Sequence, residues 1–172
     1  TVLKDNPSLI SRIGDEFWCP QRFVFDRMLK TFEAETIPKI YTDAYAPKTV
    51  VLCADTASDS LRTRAKDLNI MLWQLPEAKG HLDWQAFRER CAEAKIYGIY
   101  VELGPTLATQ VIEDALADYL FVYQAPKFLS DASTPGIGSL RNSQSMEEVF
   151  ALRNLLQASF HGDRLVRGFL TK

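Results

Sequence analysis

Val101-Glu102-Leu103-Gly104-Pro105-Thr106-Leu107-Ala108 follows a β-rich apolar run that begins at Ile96, and it leads into a helical pattern. The run closes on a carboxylate, turns through Gly-Pro-Thr, and restarts with a helical period. Gly104 has no Cβ, so backbone there can approach a ligand closely. Pro105 suits a first helical position, because the N–H it lacks would be unpaired there. The N–H groups of Thr106, Leu107 and Ala108 then point outward at the positive end of the helix dipole, which favours phosphate. Glu102 is expected at the carboxyl end of its strand, where open α/β sheets bind ligands. The same eight residues also fit a capped strand-to-helix turn that binds nothing.

Working outward, strands and helices alternate. Residues 22–27 read as a short strand. Residues 48–54 form a continuous apolar strand suited to burial on both faces. Asp55, Thr56 and Ser58 offer caps for a helix over 58–67. A strand at 69–75 stops at Pro76, and a helix from 83 to 94 places Trp84, Phe87 and Cys91 on one core-facing stripe. Strand 96–102 leads to helix 105–115 and strand 118–124. Residues 126–147, rich in Pro, Gly and Ser, read as a long loop. Two final runs, 149–160 and 164–171, flank His161-Gly162-Asp163, which is hairpin chemistry. The pattern predicts an α/β fold: a mixed sheet with helices on both faces and a C-terminal antiparallel hairpin. Periodicity alone does not separate such a mixed sheet from a flavodoxin-like one.

The chain has 172 residues, enough to bury a substantial core in one domain. Its formal net charge of −2 leaves no electrostatic footprint for nucleic acid or a membrane surface. No apolar run approaches membrane-spanning length, and no charged-then-apolar leader is present. Cys19, Cys53 and Cys91 are odd in number and widely spaced, so they read as reduced cytoplasmic thiols. Cys53 lies in an apolar strand and reads as core packing. His81 and His161 each neighbour a glycine, and no nearby Cys or His completes a metal set.

The N-terminal stretch Thr1-Val2-Leu3-Lys4-Asp5-Asn6-Pro7-Ser8-Leu9-Ile10-Ser11-Arg12 reads as extended or turning, since Pro7 disfavours helix at Asn6. It carries Asp5, a common turn-capping residue, and Arg12, which can grip a phosphate with two parallel hydrogen bonds or stand solvated.

This stretch, Arg22-Phe23-Val24-Phe25-Asp26, Gly80-His81-Leu82-Asp83, Tyr100-Val101-Glu102-Leu103-Gly104-Pro105-Thr106-Leu107, Ala115-Leu116-Ala117-Asp118-Tyr119-Leu120, Tyr123-Gln124-Ala125-Pro126-Lys127-Phe128-Leu129 and Gly162-Asp163-Arg164-Leu165-Val166-Arg167-Gly168 occur in that order. Together they resemble the reductase domain of the bifunctional bacterial riboflavin-biosynthesis deaminase/reductase, over nearly the whole chain. The resemblance implies a three-layer dihydrofolate-reductase-like fold. It implies NADPH-dependent reduction of 5-amino-6-(5-phosphoribosylamino)uracil to the ribitylamino product. Thr1, Asp5, Gly104, Pro105, Thr106, Leu107 and Ala108 would contact NADPH. Leu9, Arg12 and Glu102 would bind substrate, with Arg12 a partner for its 5′-phosphate and Glu102 the catalytic carboxylate. A homodimer in the cytoplasm is implied, as is fusion to a deaminase domain in a longer product.

Three departures from the family pattern bear on this. The family has a strand, a helix and a second strand before Thr-Val-Leu, with a lysine and a Ser-Leu-Asp-Gly turn that contact substrate and cofactor. The sequence starts after them, so residues 1–172 are expected to be a single reductase-like domain lacking that strand-helix-strand, and since Thr1 is not an initiator the chain is expected to belong to a longer product. The deaminase zinc motif is absent too, so no zinc is expected. Asp26-Arg27 stands where Asp-Ser is frequent, so Arg27 either obstructs the cofactor or contacts its 2′-phosphate. Leu103 replaces a smaller residue and is expected to pack in the core, opposite Glu102. Two rival readings remain: a non-catalytic remnant kept for dimerisation or support, and a sister reductase acting on another substrate such as a pterin.

Overall fold

Six consecutive residues, Thr49–Ala54, are buried without exception. A computed structural model describes residues 1–127 and 149–171 of the chain, and in it this stretch, strand β4, is the middle of a parallel sheet. Its neighbours are β3 (Arg22–Phe25) and β5 (Met71–Leu75). Side chains of a strand alternate between faces, and here both faces are covered. Val51 and Cys53 join Val24, Phe32, Tyr41 and Ala65 in one core, and helix α2 (Asp59–Asp67) supplies Ala65. Val50, Leu52 and Ala54 join Trp73, Phe87 and Cys91 in the other, and helix α3 (Trp84–Glu93) supplies the last two. Helices on both faces explain why the strand reads as continuously apolar. Phe87 meets Phe23 and Phe25 edge-on at 5.3 and 5.0 Å, and Phe25 stacks on Trp84 at 4.5 Å. The Asp83 carboxylate accepts from the Gln85 N–H and starts α3 there. Ser58 takes the corresponding place before α2 but makes no capping bond with its side chain.

The chain divides into two units, Thr1–Tyr100 and Val101–Lys172. In the first unit, two small hairpins had no counterpart in the sequence reading. Of the two conformations expected for residues 1–12, extended or turning, the start turns: helix α1 (Val2–Asp5) makes one turn and ends at Asn6, whose φ of 43° is left-handed. A small antiparallel hairpin, β1 (Ser11–Ile13) with β2 (Glu16–Trp18), follows. Pro7 still acts as expected, since the helix stops immediately before it. A second small hairpin, β6 (Glu77–Ala78) with β7 (His81–Leu82), precedes α3.

The expected strand at 96–102 belongs to no ladder among the described residues. Ile96 packs against the α3-side core, and its N–H bonds the Cys91 carbonyl at 2.8 Å. Beyond it Tyr97 is 85% exposed and Val101 39%. Without a strand there, Leu103 is half-buried just before a helix rather than across a strand from Glu102.

The second unit holds helix α4 (Pro105–Glu113) and an antiparallel sheet of β8 (Tyr119–Gln124), β9 (Ala151–Phe160) and β10 (Asp163–Thr171), ordered β8-β10-β9. His161 and Gly162 form the two-residue turn between β9 and β10, with φ of 49° and 97°. Two positive φ values match the right-handed twist of a hairpin, and glycine adopts them freely. Within the hairpin, Asn154 and Leu155 oppose Gly168 alone, a bulge in which Asn154 has φ 55°. A Cβ on Gly168 would lie 2.7 Å from the Arg153 carbonyl oxygen, so glycine is required there. The loop expected over 126–147 falls, apart from its first two residues, outside the described residues.

Candidate active site

The proposed phosphate site starts from a helix that begins where the sequence says it should. Gly104 is the N-cap of α4 in extended conformation (φ −68°, ψ 163°), and Pro105 follows as its first residue. No side chain caps the helix, and its first turn contains no acidic residue. The first N–H groups of a helix have no acceptor within it. Pro105 has none to offer, which leaves those of Thr106 and Leu107. Ala108 must be corrected: its N–H donates to the Gly104 carbonyl at 2.9 Å and closes the first helical turn, so it is not free for a ligand. Glu102 is exposed two residues before the cap. It therefore stands beside the helix start as expected, but at the end of a segment that joins no ladder among the described residues.

The other predicted residues lie in the first unit. Thr1 caps α1 and Asp5 ends it, and the Asp5 N–H bonds the Thr1 carbonyl at 2.7 Å, so the two stand one helical turn apart. Leu9, half-buried on the α2-side core, has a left-handed φ of 48°. Arg12 is exposed in β1, opposite Phe17, and no described residue bonds or pairs with its guanidinium. The structure thus groups Thr1, Asp5, Leu9 and Arg12 in one short segment, and Glu102 with 104–108 in another, each in its own unit.

Three interactions in the first unit were not read from the sequence, although Asp26-Arg27 stood out there as a departure. The Asp26 carboxylate, buried after β3, accepts from the Lys30 and Thr31 N–H groups at 2.8 and 2.7 Å and from the Thr31 hydroxyl at 2.6 Å. That hydroxyl also meets the Tyr41 hydroxyl at 2.9 Å, and burial pushes the Tyr41 phenol well above its usual range. Arg27 pairs with Glu77 at 2.6 Å, and Thr56 donates to the other Glu77 oxygen at 2.9 Å. These three residues follow the carboxyl ends of β3, β4 and β5. The Arg27 guanidinium, with help from Thr56, holds the Glu77 carboxyl below the ordinary carboxylate range. The third interaction, Arg22 with Asp43, is wholly buried on the arginine side. An arginine opening an apolar Arg-Phe-Val-Phe strand was its one visible sign.

Cys19, Cys53 and Cys91 are buried free thiols, and burial raises the pKa of Cys53 and Cys91. Thiols so placed are poor nucleophiles. Among the described residues, no group of three or more His, Cys, Asp or Glu is placed to hold a metal ion. No described helix is long and apolar enough to cross a membrane. A depression at the far end of α4 is lined by Ala115, Asp118, Arg153 and Phe169, and none of the predicted site residues takes part in it.

Comparison with known proteins gives these positions a context. A family model described as RibD C-terminal domain matches residues 1–158. The riboflavin biosynthesis protein RibD of Escherichia coli K12 is 42% identical over 74 residues, which are 40% of this chain and 20% of that protein. Its counterpart in Bacillus amyloliquefaciens is 29% identical over 149 residues, 87% of this chain and 38% of that one. The chain therefore spans between a fifth and two fifths of these relatives. Among solved structures, Acinetobacter baumannii RibD superposes with a TM-score of 0.75 at 19% identity, covering 100% of this chain and 45% of the other. The riboflavin biosynthesis reductase of Saccharomyces cerevisiae gives 0.73 at 18% identity, covering 99% of this chain and 72% of the other. At such identities the likeness speaks for the fold, which is the mixed α/β, dihydrofolate-reductase-like fold of those reductase domains.

Proposed function

Because the chain belongs to the RibD C-terminal domain family, we propose that it is the reductase part of a riboflavin-biosynthesis enzyme. It reduces 5-amino-6-(5-phosphoribosylamino)uracil to the ribitylamino compound with NADPH. The observation that carries this reading is the start of α4: a nine-residue helix with no side-chain cap, opened by Gly104-Pro105 two residues after Glu102 and free of acidic residues in its first turn. That chemistry fits the pyrophosphate of a dinucleotide. The N–H groups of Thr106 and Leu107 would hold it, aided by the helix dipole, with Gly104 and Pro105 shaping the approach. Ala108 would contribute contact but not its N–H. Thr1 and Asp5 would hold the rest of the cofactor. When bound, NADPH supplies a hydride to C1 of the ribose in its open form.

The chain's own residues do the remaining work. Arg12 binds the 5′-phosphate through its unpaired guanidinium, and its planar fork suits bidentate contact. Leu9 offers an apolar wall to the pyrimidine side. Glu102 places a negative charge where positive charge develops on the substrate's C1–nitrogen unit, and so lowers the barrier more than it tightens ground-state binding. Fusion to a deaminase domain, a homodimer and a cytoplasmic location belong to the same proposal.

The test is NADPH oxidation by the full-length protein given the phosphoribosylamino-uracil, with the product identified by chromatography. Stoichiometric formation of the ribitylamino compound is expected. Neither NADPH binding nor oxidation would mean that the start of α4 is architecture only.

A further inference from the structure

We propose that Arg22 is a positioning residue: its buried guanidinium fixes the Ser8 carbonyl and, through it, the left-handed turn at Leu9 that presents Leu9 and Arg12. The proposal rests on the reductase reading for what those two residues bind, but its geometry does not.

All five N–H groups of the Arg22 guanidinium are used. Nε donates to the Thr49 hydroxyl at 3.0 Å. Nη1 donates to the Ser8 carbonyl at 2.9 Å and to Asp43 Oδ2 at 2.8 Å. Nη2 donates to the Ile40 carbonyl at 2.8 Å and to Asp43 Oδ1 at 2.9 Å. Four of these bonds tie β3 to β4 and to the 3₁₀ turn Lys39–Tyr41 and the residues just after it, and they explain why a charge is tolerated in the core. The fifth does something else. Ser8 lies between Pro7 and Leu9, in a stretch with no ladder of its own. Among the described residues one further polar link holds that stretch, the Asn6 side-chain oxygen accepting from the Lys39 N–H at 2.9 Å. Asn6 bonds Lys39 directly, and the Arg22 that holds Ser8 is itself bonded to Ile40 and Asp43, so both links lead to the 39–43 region and clamp the segment from either side of Pro7. Leu9 then holds a φ of 48°, a conformation a branched side chain adopts only when its surroundings impose it. Three residues on, Arg12 enters β1.

A purely structural arginine could lose any one bond with the same consequence. A positioning arginine is sensitive to one bond in particular. Lysine at 22 keeps a charge for Asp43 but offers three donors from one atom, and cannot span Ser8, Ile40, Thr49 and both Asp43 oxygens. Thr49→Val removes the Nε acceptor and leaves the Ser8 bond in place.

The experiment is hydrogen exchange and steady-state kinetics on full-length wild type, Arg22→Lys and Thr49→Val. Arg22→Lys is expected to speed exchange of the amides in 6–13 about tenfold relative to β4. It should raise KM for the phosphorylated pyrimidine about tenfold, with kcat and the KM for NADPH within about twofold of wild type. Thr49→Val should lower the melting temperature without either change. Should Arg22→Lys fail to fold, Asn6→Gly removes the second link while keeping the left-handed backbone, and is expected to move exchange and KM the same way by a smaller factor. Unchanged exchange over 6–13 and unchanged KM in a folded Arg22→Lys or Asn6→Gly protein would overturn the proposal. Faster exchange in a protein whose wild type shows no turnover would overturn the reductase reading and leave the clamp standing.

Discussion

Thr49–Ala54 and residues 96–102 look alike as sequence and end up differently. Both are mostly apolar, rich in β-branched or aromatic residues, and bounded by turn chemistry. The first has parallel partners on either side and helices on both faces, and every residue is buried. The second has no ladder among the described residues and exposes Tyr97, Tyr100 and Val101. The difference teaches that an apolar run specifies a capacity for strand, and that pairing decides whether it is used. Backbone groups of an extended segment need partners, and side-chain fit cannot supply them.

Equivalent truncations in the two regions sharpen that contrast. Leu52→Ala leaves a cavity between β4 and α3 and is expected to destabilise by about 2–5 kcal/mol in chemical denaturation. A loss under about 1 kcal/mol would mean the core there is not close-packed. Gly168→Ala, in the hairpin bulge, drives a methyl group against the Arg153 carbonyl and should cost about 1–3 kcal/mol. Asp83→Ala removes the cap of α3, worth about 1 kcal/mol. At the bottom of the range, Tyr97→Ala should change stability by less than about 0.5 kcal/mol. A Tyr97→Ala protein as damaged as Leu52→Ala would erase the comparison and place 96–102 in a buried strand.

A pH titration tests the first unit's charge pair in the same spirit. Arg22 holds the Asp43 carboxyl below its usual range, chiefly through their hydrogen bonds. The unfolded chain then binds that proton more readily than the folded one, so the pair's stabilisation is present above the ordinary carboxylate pKa of about 4 and lost as pH falls below it. Asp43→Asn should flatten the acid limb of the stability profile. An acid limb identical to wild type would show that the pair contributes nothing.

What could be read without the structure was local. The Thr-Val-Val-Leu-Cys-Ala run, the Trp84, Phe87 and Cys91 stripe behind Asp83, Gly104-Pro105 as a helix start and His161-Gly162 as a hairpin turn each carry their signal within one element. What could not be read was either too short or too distant. The strands Ser11–Ile13 and Glu16–Trp18 have three residues each, which is less than a period test needs. Arg22 and Asp43 are 21 positions apart, and nothing between them announces the pair. The absent ladder at 96–102 is a fact about partners, invisible in the segment itself. Of the site, the helix start and the position of Glu102 beside it were legible, while the engaged Ala108 N–H and the clamp on Ser8 needed coordinates.

The most direct test of the account is kcat for Glu102→Gln against wild type, with NADPH and the phosphoribosylamino-uracil both saturating. Glutamine keeps the shape and removes the charge. The account predicts a fall of about a hundredfold or more with cofactor binding retained, the size expected when a preorganised charge is lost from a transition state. Full turnover in Glu102→Gln would contradict it and remove the catalytic role from the carboxylate beside α4.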